Sequence, residues 1–326
     1  RGGFIGQDGL NAPDSPTGVS ASAGDTQATV SFTAPTDVGG SAITGYRAQS
    51  NTGIGASGTS SPITVTGLSN GTSYTFNVWA INAFGYSAPS DASGSVSPVS
   101  PRGIFFGGVA AGGADVNVIE YITITSTGNA TDFGDMDVAR GNFRGAFGSS
   151  TRGVVGGGSG SPANKIQYVT IATTGNTTDF GDLLSNTNQA TGSSSETRGI
   201  FFGGNDGGSP VNVIEYVTIA NTGNSTDFGD LTLARIIAGS AGSTTRIVVG
   251  GGRGGNPFPR YNNIDYVTIA STGNATDFGD LTVSRQSPAG CSSSTRAIFG
   301  GGYDGSNNLD TIDYVTIAST GNATDF

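Results

Sequence analysis

Four copies of one acidic phrase, Asp-Phe-Gly-Asp, set two carboxylates three residues apart: Asp132 and Asp135, Asp179 and Asp182, Asp227 and Asp230, Asp277 and Asp280. Paired carboxylates are what general acid–base catalysis and glycoside hydrolysis use. Repetition argues against such chemistry, because an active site is normally single and these pairs recur once per repeat. The plainer reading is Asp at a turn, accepting backbone N–H bonds. Calcium is an intermediate reading, since hard cations favour clustered carboxylates and carbonyls, but the spacing matches no strict Ca2+ loop. No catalytic residue, cofactor or metal ligand is assigned.

The remaining catalytic vocabulary is thin. The chain has no histidine and one cysteine, so a Ser-His-Asp or Cys-His arrangement and a His-based metal site are excluded, as is any intrachain disulfide. Cys291 lies in Ala-Gly-Cys-Ser-Ser, and the reading is a small buried residue rather than a reactive thiol. The glycine strings are not phosphate loops, since none is followed by Lys-Ser/Thr. The 326 residues carry a net charge of −10, and Lys165 is the single lysine among 14 basic residues. No basic run tracks a phosphate backbone, so nucleic acid is rejected as the main partner. No apolar stretch approaches the roughly 20 residues that span a bilayer, so membrane insertion is not expected. The sequence begins at Arg1, so the lack of a signal peptide decides nothing. The expectation is a protein that is not an enzyme.

The elements behind these residues read as strands throughout. Charged residues are 12% and glycine numbers 56, yet β-branched and aromatic residues recur in short, evenly spaced clusters, which favours strands and turns over disorder. In Gln27–Thr33, Ala28, Val30 and Phe32 alternate with Thr29, Ser31 and Thr33, the pattern of a half-buried antiparallel strand. Further strands are expected around Tyr46 and over Pro62–Thr66. Tyr74 opens a run in which Tyr74, Phe76, Val78 and Ala80 point inward, six residues after Leu68, the place of a tyrosine corner. Ser87–Pro101 is read as the last strand followed by a stiff linker. The V-S-F-T-A-P, G-Y-R and L-x5-Y-x-F-x-V-x-A-x-N-x-x-G runs resemble a fibronectin type III domain, with Phe32 where that family usually has Trp. Trp79 faces away from Tyr74 and Phe76. It is a candidate interaction surface, weighed against packing on neighbouring side chains.

From Arg102 onward the chain repeats. Tyr121, Tyr168, Tyr216, Tyr266 and Tyr314 are spaced 47, 48, 50 and 48 residues apart, each in a phrase such as V-I-E-Y-I-T-I or N-I-D-Y-V-T-I. An Arg-led strand ending in glycines precedes each phrase, starting at Arg102, Arg152, Arg198, Arg246 and Arg296, and a Thr-Gly-Asn turn and a Thr-Asp-Phe strand follow it. The leading arginines are read as bridges between neighbouring repeats rather than as a binding face. About four short strands in roughly 48 residues is the size of a propeller blade. The order resembles a kelch repeat, with Phe133, Phe180, Phe228, Phe278 and Phe326 where that family has Trp. Connecting arginines appear at Arg140, Arg235 and Arg285, and the second copy lacks one. That family's copper oxidases need histidine ligands, so this branch is excluded. The array stops in mid-phrase at Phe326, and the first copy lacks the small-residue strand seen before the others. A continuation is therefore expected to supply a closing strand, and the blade number stays open at five, six or seven.

The expected fold is all-β: an N-terminal extension at 1–14, a fibronectin type III-like sandwich at 15–98 and kelch-like β-propeller repeats at 99–326. The loops between the Arg-led and Tyr-bearing strands differ among copies that are otherwise nearly identical, as a binding face would. The fourth, Arg253–Asn263, is the longest, and Arg253, Phe258, Arg260 and Tyr261 are its candidate binding residues. A loop that merely covers the blade edge is the plainer reading. The Asp-, Thr- and Gly-rich repeats resemble those of virion structural proteins of cyanophage-like bacteriophages. That resemblance implies a tail fibre, appendage or decoration protein at the virion surface, homo-oligomeric, binding host-surface glycan or other virion proteins. The alternative is a bacterial secreted or cell-surface polysaccharide-binding protein.

Overall fold

The computed structural model describes residues 11–141 and 145–326. Most of the extension expected at 1–14 therefore lies outside the described residues. Every regular element is a β-strand. The chain divides into two units: residues up to 103 with 123–128, and residues 104–122 with 129–326.

In the first unit, β1 (Thr17–Gly24), β2 (Gln27–Thr33) and β5 (Ile63–Thr66) form one sheet in the order β1-β2-β5. The second sheet, β4-β3-β6-β7, contains β3 (Gly45–Ser50), β4 (Gly55–Gly58), β6 (Phe76–Asn82) and β7 (Gly85–Tyr86). Period-two alternation places Ala28, Val30 and Phe32 of β2 and Phe76, Val78 and Ala80 of β6 in one core with Tyr46 and Leu68, and each large apolar side chain so buried is worth about 1.5–3 kcal/mol. Phe32 meets Tyr46 with ring centroids 4.8 Å apart, which fills its core position without a Trp. Tyr74 forms the corner: its hydroxyl accepts the Ser69 N–H at 3.0 Å.

The strand expected after Ser87 is not a regular strand. Ser87, Ser90 and Ser93 instead meet the edge of β6 at every third residue. Their N–H groups donate to the carbonyls of Ala80, Val78 and Phe76, and their hydroxyls accept the N–H groups of the same three residues. A three-residue period is that of extended polyproline-type chain, which suits a Ser/Pro/Ala segment and not a two-residue pleat. Each serine thus satisfies two backbone groups of β6.

The second unit is a series of antiparallel sheets. The first repeat has three strands, β8 (Arg102–Val109), β9 (Asp115–Thr123) and β10 (Thr131–Asp135), in the order β10-β9-β8. The next four repeats are four-stranded meanders. Repeat 3, for example, runs Thr191–Ser194, Arg198–Phe202, Val213–Thr218 and Thr226–Asp230. The sheets are separate, and none closes on itself. Consecutive repeats pack face to face over shared apolar clusters. Between repeats 3 and 4, Ile200, Phe202, Ile214 and Phe228 meet Ile247, Val249, Val267 and Ile269. Within each repeat the Tyr and Phe rings pack edge to face at 5.8–5.9 Å, from Tyr121–Phe133 to Tyr314–Phe326.

The Asp-Phe-Gly-Asp phrase, expected at a turn, is a strand in each copy. Its glycine sits at an irregularity of register, and there the turn of the next repeat crosses it. A Cβ on Gly134, which has φ +147, would lie 2.5 Å from the Gly175 backbone. That close approach lets Gly175 N–H donate to Phe133 O at 2.7 Å and Asp135 N–H donate to Asn176 Oδ1 at 2.9 Å. The junctions at Gly223, Gly273 and Gly321 repeat it. Backbone contact, not carboxylate capping, accounts for the phrase.

Cys291, expected to be buried, is exposed. Its counterpart Ala241 is 3% exposed because repeat 5 covers it; the same face of repeat 5 is open.

Candidate functional site

The antiparallel meander puts the second-to-third strand loops at one end of the strands and the Ser/Thr-rich and Thr-Gly-Asn turns at the other. Both ends carry polar side chains, and hydrogen bonding separates framework from free surface.

At the turn end, Gly148, Ser194, Glu196, Ser243 and Ser293 line a cup of about 300 Å³. Its hydroxyls are mostly committed. Ser195, Ser243 and Ser293 each accept the N–H groups two and three residues on, while Ser194 and Ser292 donate to glycine carbonyls of the preceding repeat. These serines close turns and join repeats, as Ser hydroxyls do wherever they compete for local backbone.

The leading arginines are likewise framework. Arg152, Arg198 and Arg246 stack on the tyrosine of their own repeat at 4.3–4.4 Å. Each donates to an isoleucine carbonyl of the next repeat: Ile219 at 2.8 Å, Ile269 at 2.6 Å and Ile317 at 2.9 Å. The connecting arginines are buried. Arg235 pairs with Asp265 and Arg285 with Asp313, each at 3.0 Å, with all four side chains at most 1% exposed. Burial pulls the Arg235 pKa down, against the charge of Asp265. Where Gln167 stands in place of that acid, Arg140 reaches Asp137 at 3.9 Å instead. Burial opposes ionisation of Asp137, but hydrogen bonds and charge from Lys165, helped by Arg140 and Gln167, outweigh it and hold its pKa below the usual carboxylate range. Where the connecting arginine is lost, Thr187 takes its place, and the buried acid Glu215 accepts from Leu184 N–H and Ser225 Oγ.

The loop end is different in kind. In the loop of repeat 4, Phe258 is 48% exposed and adopts the left-handed φ of +65. The Arg253 guanidinium lies 4.8 Å from the Phe258 ring centre. Arg260 donates to Phe258 O at 3.1 Å and sits 5.6 Å from the ring of Tyr303 in the loop of repeat 5. Beside it, Asp304 accepts the N–H groups of Ser306 and Asn307; those two bonds, with the charge of Arg260, lower its pKa. Tyr261 does not join this patch. It is partly buried beneath the loop, its ring 5.8 Å from Arg235, and its backbone bonds to Gly252 and Arg285.

Three of the four loop residues singled out in the sequence therefore come together, with Tyr303 and Asp304 added. Sequence reasoning passed over Tyr303, although it follows the Gly-Gly pair of its repeat as Arg253 follows its own. Arg253 bridges Ile236 and Arg260 as Tyr303 bridges Gln286 and Asn308.

Trp79 belongs to the sandwich. It is half-buried on the outer face of β4-β3-β6-β7, directly opposite Arg47. On that sheet Tyr86, 57% exposed, lies opposite Ile81, and Phe84 is 46% exposed. Among the described residues no three His, Cys, Asp or Glu side chains converge as metal ligands would.

These features define an all-β protein built from a β-sandwich and a series of separate antiparallel sheets. Residues 14–95 match the family model of the fibronectin type III domain. No curated protein matches the sequence significantly.

Proposed function

We propose that this chain is a non-enzymatic recognition protein of a virion surface, a tail fibre, appendage or decoration protein, in which kelch-like propeller repeats present a binding patch made by the loops of repeats 4 and 5. The observation that carries the reading is Phe258. A bulky residue held at positive φ costs of order 1 kcal/mol relative to glycine, and an aromatic ring left 48% exposed there gains nothing for the core. Flanked by Arg253 and Arg260, with Tyr303 beside Arg260, it has the aromatic-plus-arginine composition of binding hot spots. Aromatic faces stack on sugar rings and guanidinium groups bond hydroxyls and carboxylates, so host-surface glycan is the partner that fits. Other virion proteins are the further partner class carried by the resemblance of the repeats.

The test is binding of the intact chain to a panel of bacterial surface polysaccharides, beside Phe258→Gly and Arg260→Ala. Both variants are expected to keep the wild-type melting temperature or, for Phe258→Gly, to exceed it, and to lose at least about 10-fold in affinity, as truncated hot-spot residues do. Full binding by both variants sinks the glycan reading, as does no binding to any polysaccharide of the panel.

A further inference from the structure

Every described arginine of the repeats either leads a repeat or connects two, except Arg253 and Arg260. Both lie in the loop of repeat 4, where Arg253 bridges Arg260 in antiparallel register across the hairpin. The matching pairs in the neighbouring loops are uncharged: Asn205 with Pro210 in repeat 3, and Tyr303 with Asn308 in repeat 5. Residues directly opposite in an antiparallel pair project to one face, and like charges placed there are destabilising. The loop of repeat 4 therefore carries a repulsion that its neighbours avoid, in a chain whose net charge is −10.

The two guanidinium groups are held in place but not neutralised. Arg253 lies 4.8 Å from the centre of the Phe258 ring. Arg260 donates to Phe258 O at 3.1 Å, sits 5.6 Å from the ring of Tyr303 and rests on Gly305, where a Cβ would come 3.0 Å from its Cζ. The Tyr303 hydroxyl is tied to Gly305 O at 2.9 Å. Arg253 Nε and Arg260 Nε are buried without a hydrogen-bond partner, and among the described residues neither arginine forms an ion pair. Arg235 and Arg285, by contrast, meet Asp265 and Asp313 at 3.0 Å. Arg260 feels the charge of Asp304, but Asp304 Oδ1 is occupied by the N–H groups of Ser306 and Asn307 at 2.6 and 2.7 Å. Both arginines remain partly exposed. The loop is flanked within the chain by both neighbours, with Gly255 approaching Pro210 of repeat 3 and Arg260 approaching Tyr303 of repeat 5.

We propose that Arg253 and Arg260 together bind an oxyanion borne by a sugar, so that the patch selects acidic over neutral polysaccharide. A carboxylate, sulfate or phosphate group offers acceptor oxygens to both guanidinium groups at once, and such charge-assisted bonds are roughly twice as strong as neutral ones. A neutral sugar would leave the two like charges facing each other. Phe258, in contact with both arginines, then takes the apolar face of the sugar ring. Because both side chains are held beforehand, little freedom is lost on binding. The inference rests on the glycan reading of this patch and adds to it the charge of the sugar.

The test is binding of the intact chain to alginate, hyaluronate and polygalacturonate, each beside its carboxyl-reduced form, and to dextran sulfate beside dextran. At least one charged polymer is expected to bind about 10-fold or more tighter than its neutral counterpart, the scale of a hot-spot contact. The dextran pair separates a sulfate ester from a carboxylate. Arg253→Gln and Arg260→Gln are each expected to remove most of that preference. Arg253→Gln is expected to keep the wild-type melting temperature, since it relieves the cross-strand repulsion. Equal affinity for charged and neutral forms overturns the inference and leaves the glycan reading standing. A preference that survives in either variant overturns it too. No binding to any of these polymers also overturns it, while the panel of bacterial surface polysaccharides decides the glycan reading separately.

Discussion

Arg235 and Asp265, both buried and 3.0 Å apart, join the third repeat to the fourth in a single charge-assisted hydrogen bond. Asp265 also accepts the N–H and hydroxyl of Thr232, so both of its oxygens are hydrogen-bonded. Removing one partner of such a pair leaves an uncompensated buried charge, which typically costs about 3–5 kcal/mol. Asp265→Asn is therefore expected to loosen the junction of repeats 3 and 4 by that amount. Glu215→Gln, at the equivalent acid where Thr187 stands for the arginine, is expected to cost much less, since Gln167 already occupies that place in repeat 2. Hydrogen exchange of strands Val213–Thr218 and Asn263–Thr268 reads both, because stability in stacked repeats is largely local.

Arg198 and Arg296 stack on tyrosine rings at the same 4.3 Å, but only Arg198 reaches a carbonyl across a repeat junction, Ile269 O at 2.6 Å. Lysine retains the charge and loses the planar fork and the stacking. Arg198→Lys is expected to destabilise by about 1–3 kcal/mol, the range for a hydrogen bond from a charged donor, and Arg296→Lys by a few tenths at most. Thermal melting followed by far-ultraviolet circular dichroism compares them, and equal losses contradict the bridging role.

Ser90 satisfies the buried Val78 N–H through its hydroxyl at 2.9 Å. Ser90→Ala removes the acceptor of the Val78 N–H and is expected to cost about 1–3 kcal/mol, the penalty for an unsatisfied buried donor. Trp79 is the single tryptophan and lies next to Val78 on β6, so denaturant unfolding followed by its fluorescence reports the sandwich alone. An unchanged midpoint would show that the serine ladder contributes only its N–H bonds.

Asp137 is held below the ordinary carboxylate range by Lys165, Arg140 and Gln167 despite its partial burial. A depressed folded pKa adds stability that is fully present above the unfolded value near 3.8 and fades as pH falls through the folded pKa. Repeats 1 and 2 are thus expected to lose local protection below about pH 4, and Asp137→Asn is expected to remove that part of the acid dependence. Hydrogen exchange of Lys165–Thr170 at pH 6 and pH 3.5 measures it; parallel pH dependence in wild type and variant refutes the coupling.

Strands were legible because a strand is written at short range. The alternation of Ala28, Val30 and Phe32 follows from the pleat, and the six residues from Leu68 to Tyr74 span the corner that the Tyr74 hydroxyl closes on Ser69. The Ser87–Ser90–Ser93 ladder was read as an ordinary strand because its three-residue period means nothing until β6 supplies the groups it satisfies. Asp-Phe-Gly-Asp was read as a turn because Asp and Gly favour turns, whereas its glycine answers to a turn 41 residues away, Gly134 to Gly175. At the loop patch, Arg253, Phe258 and Arg260 were visible within one segment, and Tyr303 was not, since the contact with Arg260 forms only when two repeats stack.

By itself the sequence determined the all-β class, the boundaries within which strands form, the repeat of about 48 residues and the absence of histidine chemistry. These follow from side-chain type, backbone sterics and spacing, which act over a few residues. Tertiary structure alone decided which of those strands are covered. Phe105 and Phe201 share one heptapeptide and Cys291 and Ala241 share one register, yet one member of each pair is open and the other is buried. Burial is a property of what a neighbouring sheet brings to the other side of the interface, and nothing local to either residue encodes it.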